Sequence, residues 1–441
     1  HPEYCESHMR ISWPGSFLTL ALLAGAACSS TPDDSAPGHT FDRYEEDGLQ
    51  IAHSSATPKY DGEFLAYEPW YVLCEDEREE SLLVRPEPGT LDERGFLYVP
   101  DSSPSDWPSV SRIAVFDTTG TFQFAFGQPG QGPGDMRHPQ INSIRDGVLE
   151  TWDLVGQRRL TRYREDGGLL DVTTLLPASA GWRTTRCYRL NDSRFLRILS
   201  HTATSEGPSA RLYRAIMYSA DWDSLWSVDG EEVTEALRVS FSWNGAQGLI
   251  HSTIPFGPRS RFAFHEGIGM VFTTGQEPVL DVYDLRGNHR LRIRADLPPE
   301  PVTAADRTAY EAPTREKLET ATGIERDWQK AELENLVYPE FKTFWGESTG
   351  GTLAIDDAGN IWVRIPAFFG SREEKDEIIQ YRIFSPEGEY LGITRLPPRS
   401  RRGMTRLTRG CLVVVEKDPE TDAKTVVVYR ISPSAEVQES F

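Results

Sequence analysis

One pattern recurs along this 441-residue chain and limits what it can fold into: an apolar strand that ends in an aromatic residue and runs into a polar turn. It occurs as Arg112-Ile113-Ala114-Val115-Phe116 before Asp117-Thr118-Thr119-Gly120, as Leu160-Thr161-Arg162-Tyr163 before Arg164-Glu165-Asp166-Gly167, and as Ala215-Ile216-Met217-Tyr218. It returns as Leu280-Asp281-Val282-Tyr283 before Asp284-Leu285-Arg286-Gly287, as Tyr381-Arg382-Ile383-Phe384 before Ser385-Pro386-Glu387-Gly388, and as Val426-Val427-Val428-Tyr429. A further strand precedes several of these, at Gly95 to Val99, Gly147 to Trp152, Gly267 to Phe272 and Gly359 to Val363, each beside a Gly-containing turn. Tight hairpins are thus the unit of the repeat.

A sheet of that size cannot bury both of its faces alone, whereas copies stacked around an axis can. The expected fold is therefore all-β, a six-bladed β-propeller. Composition agrees, with 36 Gly, 30 Pro and 47 aromatic residues dividing short apolar runs by turn chemistry. Only the interval between Tyr283 and Phe384 is long for one blade, and it contains the one extended stretch of helical composition, Thr303 to Leu336. It reads as a helical insertion (303–337) between blades four and five, with Thr303 as its cap and Ala305, Ala309, Leu318, Trp328 and Leu336 turned inward. A polar stretch from Ser371 to Glu377 lengthens the same repeat. The sixth repeat lacks an outer strand, and Trp70 to Cys74 is expected to supply it and so remove an open edge.

Near the start, Met9-Arg10 begins a short basic stretch, and Phe17 to Ala27 is an apolar run of signal-peptide length, too short to span a bilayer. It ends at Ala26-Ala27-Cys28-Ser29-Ser30, which resembles a bacterial lipobox with Cys28 as the lipidated residue. Gly25 stands where Leu is usual, so cleavage without lipidation, after Ala24-Gly25-Ala26, is the alternative. The expected division is a signal segment (1–28, with 1–8 ahead of the true start), a flexible tether (29–46), the propeller (47–435) and a short tail (436–441). The expected location is the periplasm or cell surface, with a lipid anchor in the outer membrane. Cys74, Cys187 and Cys411 are too few and too widely spaced for a disulfide framework or a zinc site, and are expected to be buried thiols.

Several segments resemble the NHL and NHL-like six-bladed propellers of exported bacterial proteins. They are Arg112 to Asp117, the run Gly127-Gln128-Pro129-Gly130-Gln131-Gly132-Pro133-Gly134 leading to His138-Pro139, and Asp356-Asp357-Ala358-Gly359-Asn360-Ile361-Trp362-Val363. The likeness runs through residues 65 to 433 and implies architecture rather than activity.

Chemistry is harder to place. The formal charge of −21 repels phosphate backbones and anionic headgroups, which argues against nucleic acid and leaves the membrane only a lipid anchor. The Gly127 to Gly134 run precedes a strand instead of a helix, so it is a crossover and not a phosphate cradle. No H-x-x-x-H or H-E-x-x-H pattern occurs. No cofactor is expected, although an axial metal drawing ligands from several blades is compatible with the sequence. Its candidates are His138, His251 and His265, each placed near the start of an inner strand. One basic cluster breaks the acidity: Arg399, Arg401, Arg402, Arg406 and Arg409 lead into the last repeat, with Trp182, Arg183 and Arg259 at comparable entries of other repeats. On one face they would grip a carboxylate, sulfate or phosphate by paired hydrogen bonds. The first functional expectation is a cell-envelope binding module for a peptide, glycan or protein partner. The second is a metal-dependent hydrolase or lyase in the axial funnel.

Overall fold

The structure is a computed structural model that describes residues 38–73, 82–103, 110–153, 158–190, 193–202, 208–230, 233–243, 246–344, 353–366, 379–398, 400, 404–417 and 424–438. Three strands precede the ring: β1 (Phe41–Glu46), β2 (Leu49–Ser54) and β3 (Leu65–Val72). Blade one is β4 (Thr90–Leu91), β5 (Leu97–Ser103), β6 (Val110–Phe116) and β7 (Phe122–Phe126). Blade two is β8 (Pro139–Arg145), β9 (Val148–Asp153), β10 (Arg159–Arg164) and β11 (Leu169–Thr174). Blade three holds β12 (Trp182–Arg189), β13 (Phe195–Thr202), β14 (Pro208–Tyr218) and β15 (Ser224–Asp229), with an added hairpin of β16 (Val233–Trp243) and β17 (Ala246–Thr253) on β14.

Blade four is β18 (Arg261–His265), β19 (Gly269–Thr273), β20 (Val279–Tyr283) and β21 (His289–Ala295). Helices α1 (Ala304–Thr320) and α2 (Gly323–Glu334) follow, then blade five as β22 (Leu353–Ile355), β23 (Ile361–Arg364), β24 (Gln380–Phe384) and β25 (Tyr390–Arg395). Blade six is β26 (Thr405–Thr408), β27 (Cys411–Lys417) and β28 (Lys424–Pro433), completed by β3, and the short α3 (Ala435–Gln438) ends the described chain. The expected all-β six-bladed propeller, with its helical insertion between blades four and five, is what the chain forms.

The recurring aromatic has a local cause. In every blade the third strand slips register against the fourth at that residue: Phe116, Tyr163, Tyr218, Tyr283, Phe384 and Tyr429. The extra residue lies on the fourth strand opposite the aromatic, Gln123 in blade one and Leu170 in blade two, and it bends that strand and sharpens its twist, as a bulge does. The turn that follows is closed by a side chain: the Asp117 carboxylate accepts from the Thr119 and Thr121 amides, and that of Asp284 from the Arg286 and Asn288 amides. Gly120 and Gly287 then take the left-handed conformation (φ +81° and +82°) that the return strand requires.

Hydrophobic packing lies between blades. Tyr98, Val115, Ile141 and Leu149 join blades one and two, and Trp152, Leu160 and Phe195 join two and three. Met217 and Met270 meet between three and four, Val282 and Phe384 between four and five, Trp362 and Val414 between five and six, and Val413 and Phe116 between six and one. All six interfaces are filled, so the ring is closed by packing as well as by strands.

One N-terminal strap runs around half of the rim. β2 pairs in parallel with β21, from Gln50 opposite Leu291 to Ser54 opposite Ala295. The chain then follows β25, where Lys59 and Tyr60 amides donate to the Tyr390 and Leu391 carbonyls and the Phe64 amide to that of Ile393. It ends as β3, antiparallel to β28 from Leu65 opposite Pro433 to Val72 opposite Val427. The closing strand thus covers Leu65–Val72, earlier than the expected Trp70 to Cys74, and β1 pairs within the stretch expected to be tether. Residues 1–37, including Cys28, lie outside the described residues. Among the described residues no helix is long and apolar enough to cross a membrane.

The helical insertion is held by polar contacts and by the packing of Tyr310 and Tyr338 on Phe256. Thr303 caps α1 in a reciprocal box with Asp306, whose carboxylate also meets the Lys342 ammonium at 3.1 Å. Trp328 is 42% exposed and Ala305 is exposed, against the inward placement expected for both, while Gln329 and Ala331 are the buried residues of α2. The segment after α2 returns to blade four through the Thr343 and Phe344 amides, which donate to the Phe256 and Gly275 carbonyls.

Candidate functional site

In this topology each inner strand starts on one face of the ring, and the crossovers and the turns between second and third strands share that face. The inner strands β12, β18, β22 and β26, with Trp362, Tyr381, Leu396 and Leu412 behind them, line an open cavity of about 250 Å3. Its polar wall is Arg186 and Arg406; its apolar wall includes Tyr188, Phe262, Phe264 and Ile355. The Tyr188 and Phe264 rings pack at 5.1 Å, and Phe262 packs on Phe272 at 4.8 Å, so the aromatic wall is braced from behind.

Blade one explains why Arg406 is there. Its inner strand has only two residues, and the Arg406 guanidinium reaches past it to blade two, donating to the Ile141 carbonyl at 2.7 Å and the Asn142 carbonyl at 3.1 Å. Arg409 does the same at the other end of β26, donating to the carbonyls of Leu91 and Ile144 while its guanidinium pairs with Glu93. Arg406 is therefore a clasp that also faces the cavity. Burial, and after it the like charge of Arg186, pulls its pKa down to about 10.

Arg186 is exposed and donates to the Gln140 side-chain oxygen at 2.7 Å. Among the described residues neither arginine forms an ion pair. Glu87, ahead of β4, is an electrostatic partner of both, its carboxyl raised by burial in spite of His138, Arg85, Arg186 and Arg406. His138 itself stands before β8, with Ser102 Oγ 3.4 Å from its Nδ1. Deeper in the ring, Asn142 donates to the Glu150 carboxylate and to the Cys187 carbonyl, and burial raises the Glu150 carboxyl.

Neither a family model nor a curated protein matches this sequence. Solved structures share its course. A Bacteroides fragilis protein described as exported has 11% identity and a TM-score of 0.47, over 87% of this chain and 99% of that one. A member of the DUF4221 family from Bacteroides vulgatus has 11% identity and a TM-score of 0.42, over 84% and 99%. A calcium-binding protein, regucalcin, from Agrobacterium tumefaciens has 11% identity and a TM-score of 0.34, over 83% and 93%. The six sheets described above carry the fold assignment.

The expected site residues separate. Arg399, Arg401 and Arg402 lie outside the described residues. Arg409 sits in the turn after β26, on the opposite face from the entry of that strand, because β26 is only four residues long. Arg406 lines the cavity. Trp182 is at the start of β12 but is used in packing, 5.4 Å from the His201 ring and 4.8 Å beneath the Arg214 guanidinium. Arg183 is exposed beside it, and the Arg259 amide is tied to the Thr274 carbonyl.

The three histidines do not converge. His138 is near the start of an inner strand as expected, but His265 ends β18 on the other face, where its ring nitrogen accepts from the Gly267 amide. His251 belongs to the added hairpin, opposite Arg238, because blade three spends its extra length on β16 and β17. Among the described residues no group of three or more His, Cys, Asp or Glu side chains is placed to hold a metal ion. Cys187 and Cys411 are free and buried, and burial pushes the Cys411 thiol up to about 11. The residues that sequence reasoning missed are Arg186, Tyr188, Phe262, Phe264 and Glu87. Alignment of the repeats on their inner strands, in place of their aromatic third strands, is the signal that points to them.

Proposed function

We propose that this propeller is a binding module of the bacterial cell envelope that takes part of its ligand into the axial cavity. The observation that carries the reading is the pairing of two arginines, unpaired with carboxylates among the described residues, with a braced aromatic wall in one concave site. A few placed polar groups on an apolar lining are what ligand sites use to orient what they hold. At about 250 Å3 the cavity lies just below the usual ~300–1,000 Å3 of such sites. One sugar ring, one terminal residue of a peptide or protein partner, or one small acid suits it better than an extended chain.

The sequence supports the envelope part of the reading through its signal-like N-terminus, with Cys28 as the anchor, and the NHL-like segments support the class. The test is a melting screen of the mature protein against sugar fragments, short peptides and small acids. At a ligand concentration 100 times its Kd, the folded state gains about 2.7 kcal/mol. At least one class should raise the midpoint, and Phe264→Glu, which fills the cavity with a carboxylate facing the two arginines, should abolish the rise. A ligand that still stabilises the Phe264→Glu variant would remove the cavity from the reading, and turnover of a bound ligand, seen by mass spectrometry, would replace a binding module by an enzyme.

A further inference from the structure

The geometry points to a small organic carboxylate with an aromatic or branched apolar body as the ligand of the axial cavity, its anionic end between Arg186 and Arg406 and its body against Phe262, Phe264 and Ile355. This rests on the binding reading above and names its ligand class. Three observations lead to it.

The first is a charge imbalance that the chain had ample means to avoid. Asp and Glu outnumber Lys and Arg by 67 to 46, and carboxylates are spent freely on arginines elsewhere: Asp101 on Arg112, Asp171 on Arg162, Asp229 on Arg214 and Asp281 on Arg292. Among the described residues Arg186 and Arg406 receive neutral acceptors alone, a side-chain amide oxygen and two backbone carbonyls. Two like charges facing one cavity raise its free energy, and an incoming anion lowers it.

The second is donor geometry. The bonds to Gln140, Ile141 and Asn142 use three of the N–H groups of the two guanidiniums, which hold five each. Those bonds also fix both planar groups in place, so that the rest can meet a carboxylate with little loss of side-chain entropy.

The third is the opposite wall. Phe262, Phe264 and Ile355 offer carbon surface on that side, which favours an apolar body over a sugar or a multiply charged phosphate ester.

The experiment is calorimetric titration of the mature chain, at low salt, with phenylacetate, its neutral isostere phenylacetamide, and sulfate. Phenylacetate should bind with a sub-millimolar Kd, and the amide and sulfate at least tenfold more weakly. Arg186→Leu should weaken phenylacetate at least tenfold while its melting midpoint stays unchanged, and Arg186→Lys should recover part of the loss. The inference is overturned if the amide binds as well as the acid, if Arg186→Leu binds phenylacetate undiminished, or if neither phenylacetate nor cyclohexanecarboxylate binds at millimolar concentration. A neutral ligand that is lost in Phe264→Glu would overturn the carboxylate and leave the binding module standing; a ligand indifferent to Phe264→Glu would overturn both.

Discussion

The outer edges of blades four to six and of blades one to three are finished in different ways. β21, β25 and β28 are each joined by the N-terminal strap, which buries Ile51, Ala52, Phe64 and Tyr71 as it passes. Among the described residues, β7, β11 and β15 have no strand on their outer sides, and the last two leave Leu169, Leu170 and Leu225 at least 40% exposed. Both halves satisfy the same inner packing, so the strap is not what makes a blade. It joins three blades along the rim, and in blade six it is also the fourth strand. The ring is thereby sewn shut by residues distant in sequence, and cooperativity should be concentrated in that half.

The sharpest way to break this comparison is to delete residues 65–72. That removes the pairing of β3 with β28 and the burial of Tyr71 against blade one, and opens the ring between its ends. The expected loss is comparable with the whole stability of a domain, on the order of 5–15 kcal/mol, so the variant should show no cooperative melting by circular dichroism. A truncated chain that melts like the intact one would show that packing alone closes the ring.

A milder test compares one glycine in each half. Gly388, in the outer turn of blade five, has φ +94°, and a Cβ there would lie 2.6 Å from that of Ala52 and 2.8 Å from Ile293 Cγ1, between strap and blade. Gly147, in blade two, has φ +72°, but its nearest atom would be the Glu165 carboxylate oxygen at 3.3 Å, the movable end of a side chain. Gly388→Ala should cost about 1–3 kcal/mol for overpacking beyond the strain of a positive φ, whereas Gly147→Ala should cost little more than that strain, about 1 kcal/mol. Urea midpoints measure both, and equal losses would mean that the strap gives way without resistance.

The same contrast explains what could be read from the sequence. The third and fourth strands were legible because their pairing is set by local chemistry: a bulge at an aromatic residue such as Phe116 or Phe384, then a turn closed by Asp117 or Ser385 and released by Gly120 or Gly388. The strap was only partly legible. Trp70 to Cys74 was expected to close the ring, but no nearby residue announces that β2 runs parallel to β21, since their partners lie some 240 positions apart. The cavity was least legible. Arg406 stood out because it lies among other arginines, yet its place is set by the shortness of β4, while Arg186 lies between two unremarkable threonines and Cys187. Which residue of an inner strand faces the axis depends on the ring as a whole, and no periodicity within five or six residues can report it.

The smallest effect is expected at the bare rim, and it matters because it tests whether that edge is finished or merely waiting for a partner strand. Leu170 lies on β11, is 42% exposed, and belongs to a strand that among the described residues is bonded to β10 alone. Unpaired strand edges invite pairing with other chains, and lysine on an edge strand is a common defence against it. If β11 is an exposed edge of the folded monomer, Leu170→Lys removes little packing and should change stability by no more than about 0.5 kcal/mol, with equal or better solubility on concentration. If β11 is instead covered in solution by another chain, the same charge would be buried at that contact, and light scattering would show the assembly falling to monomers. The first result sharpens the division between a sewn half and a free half. The second would show that both halves are covered, one by the protein's own N-terminus and the other by a partner.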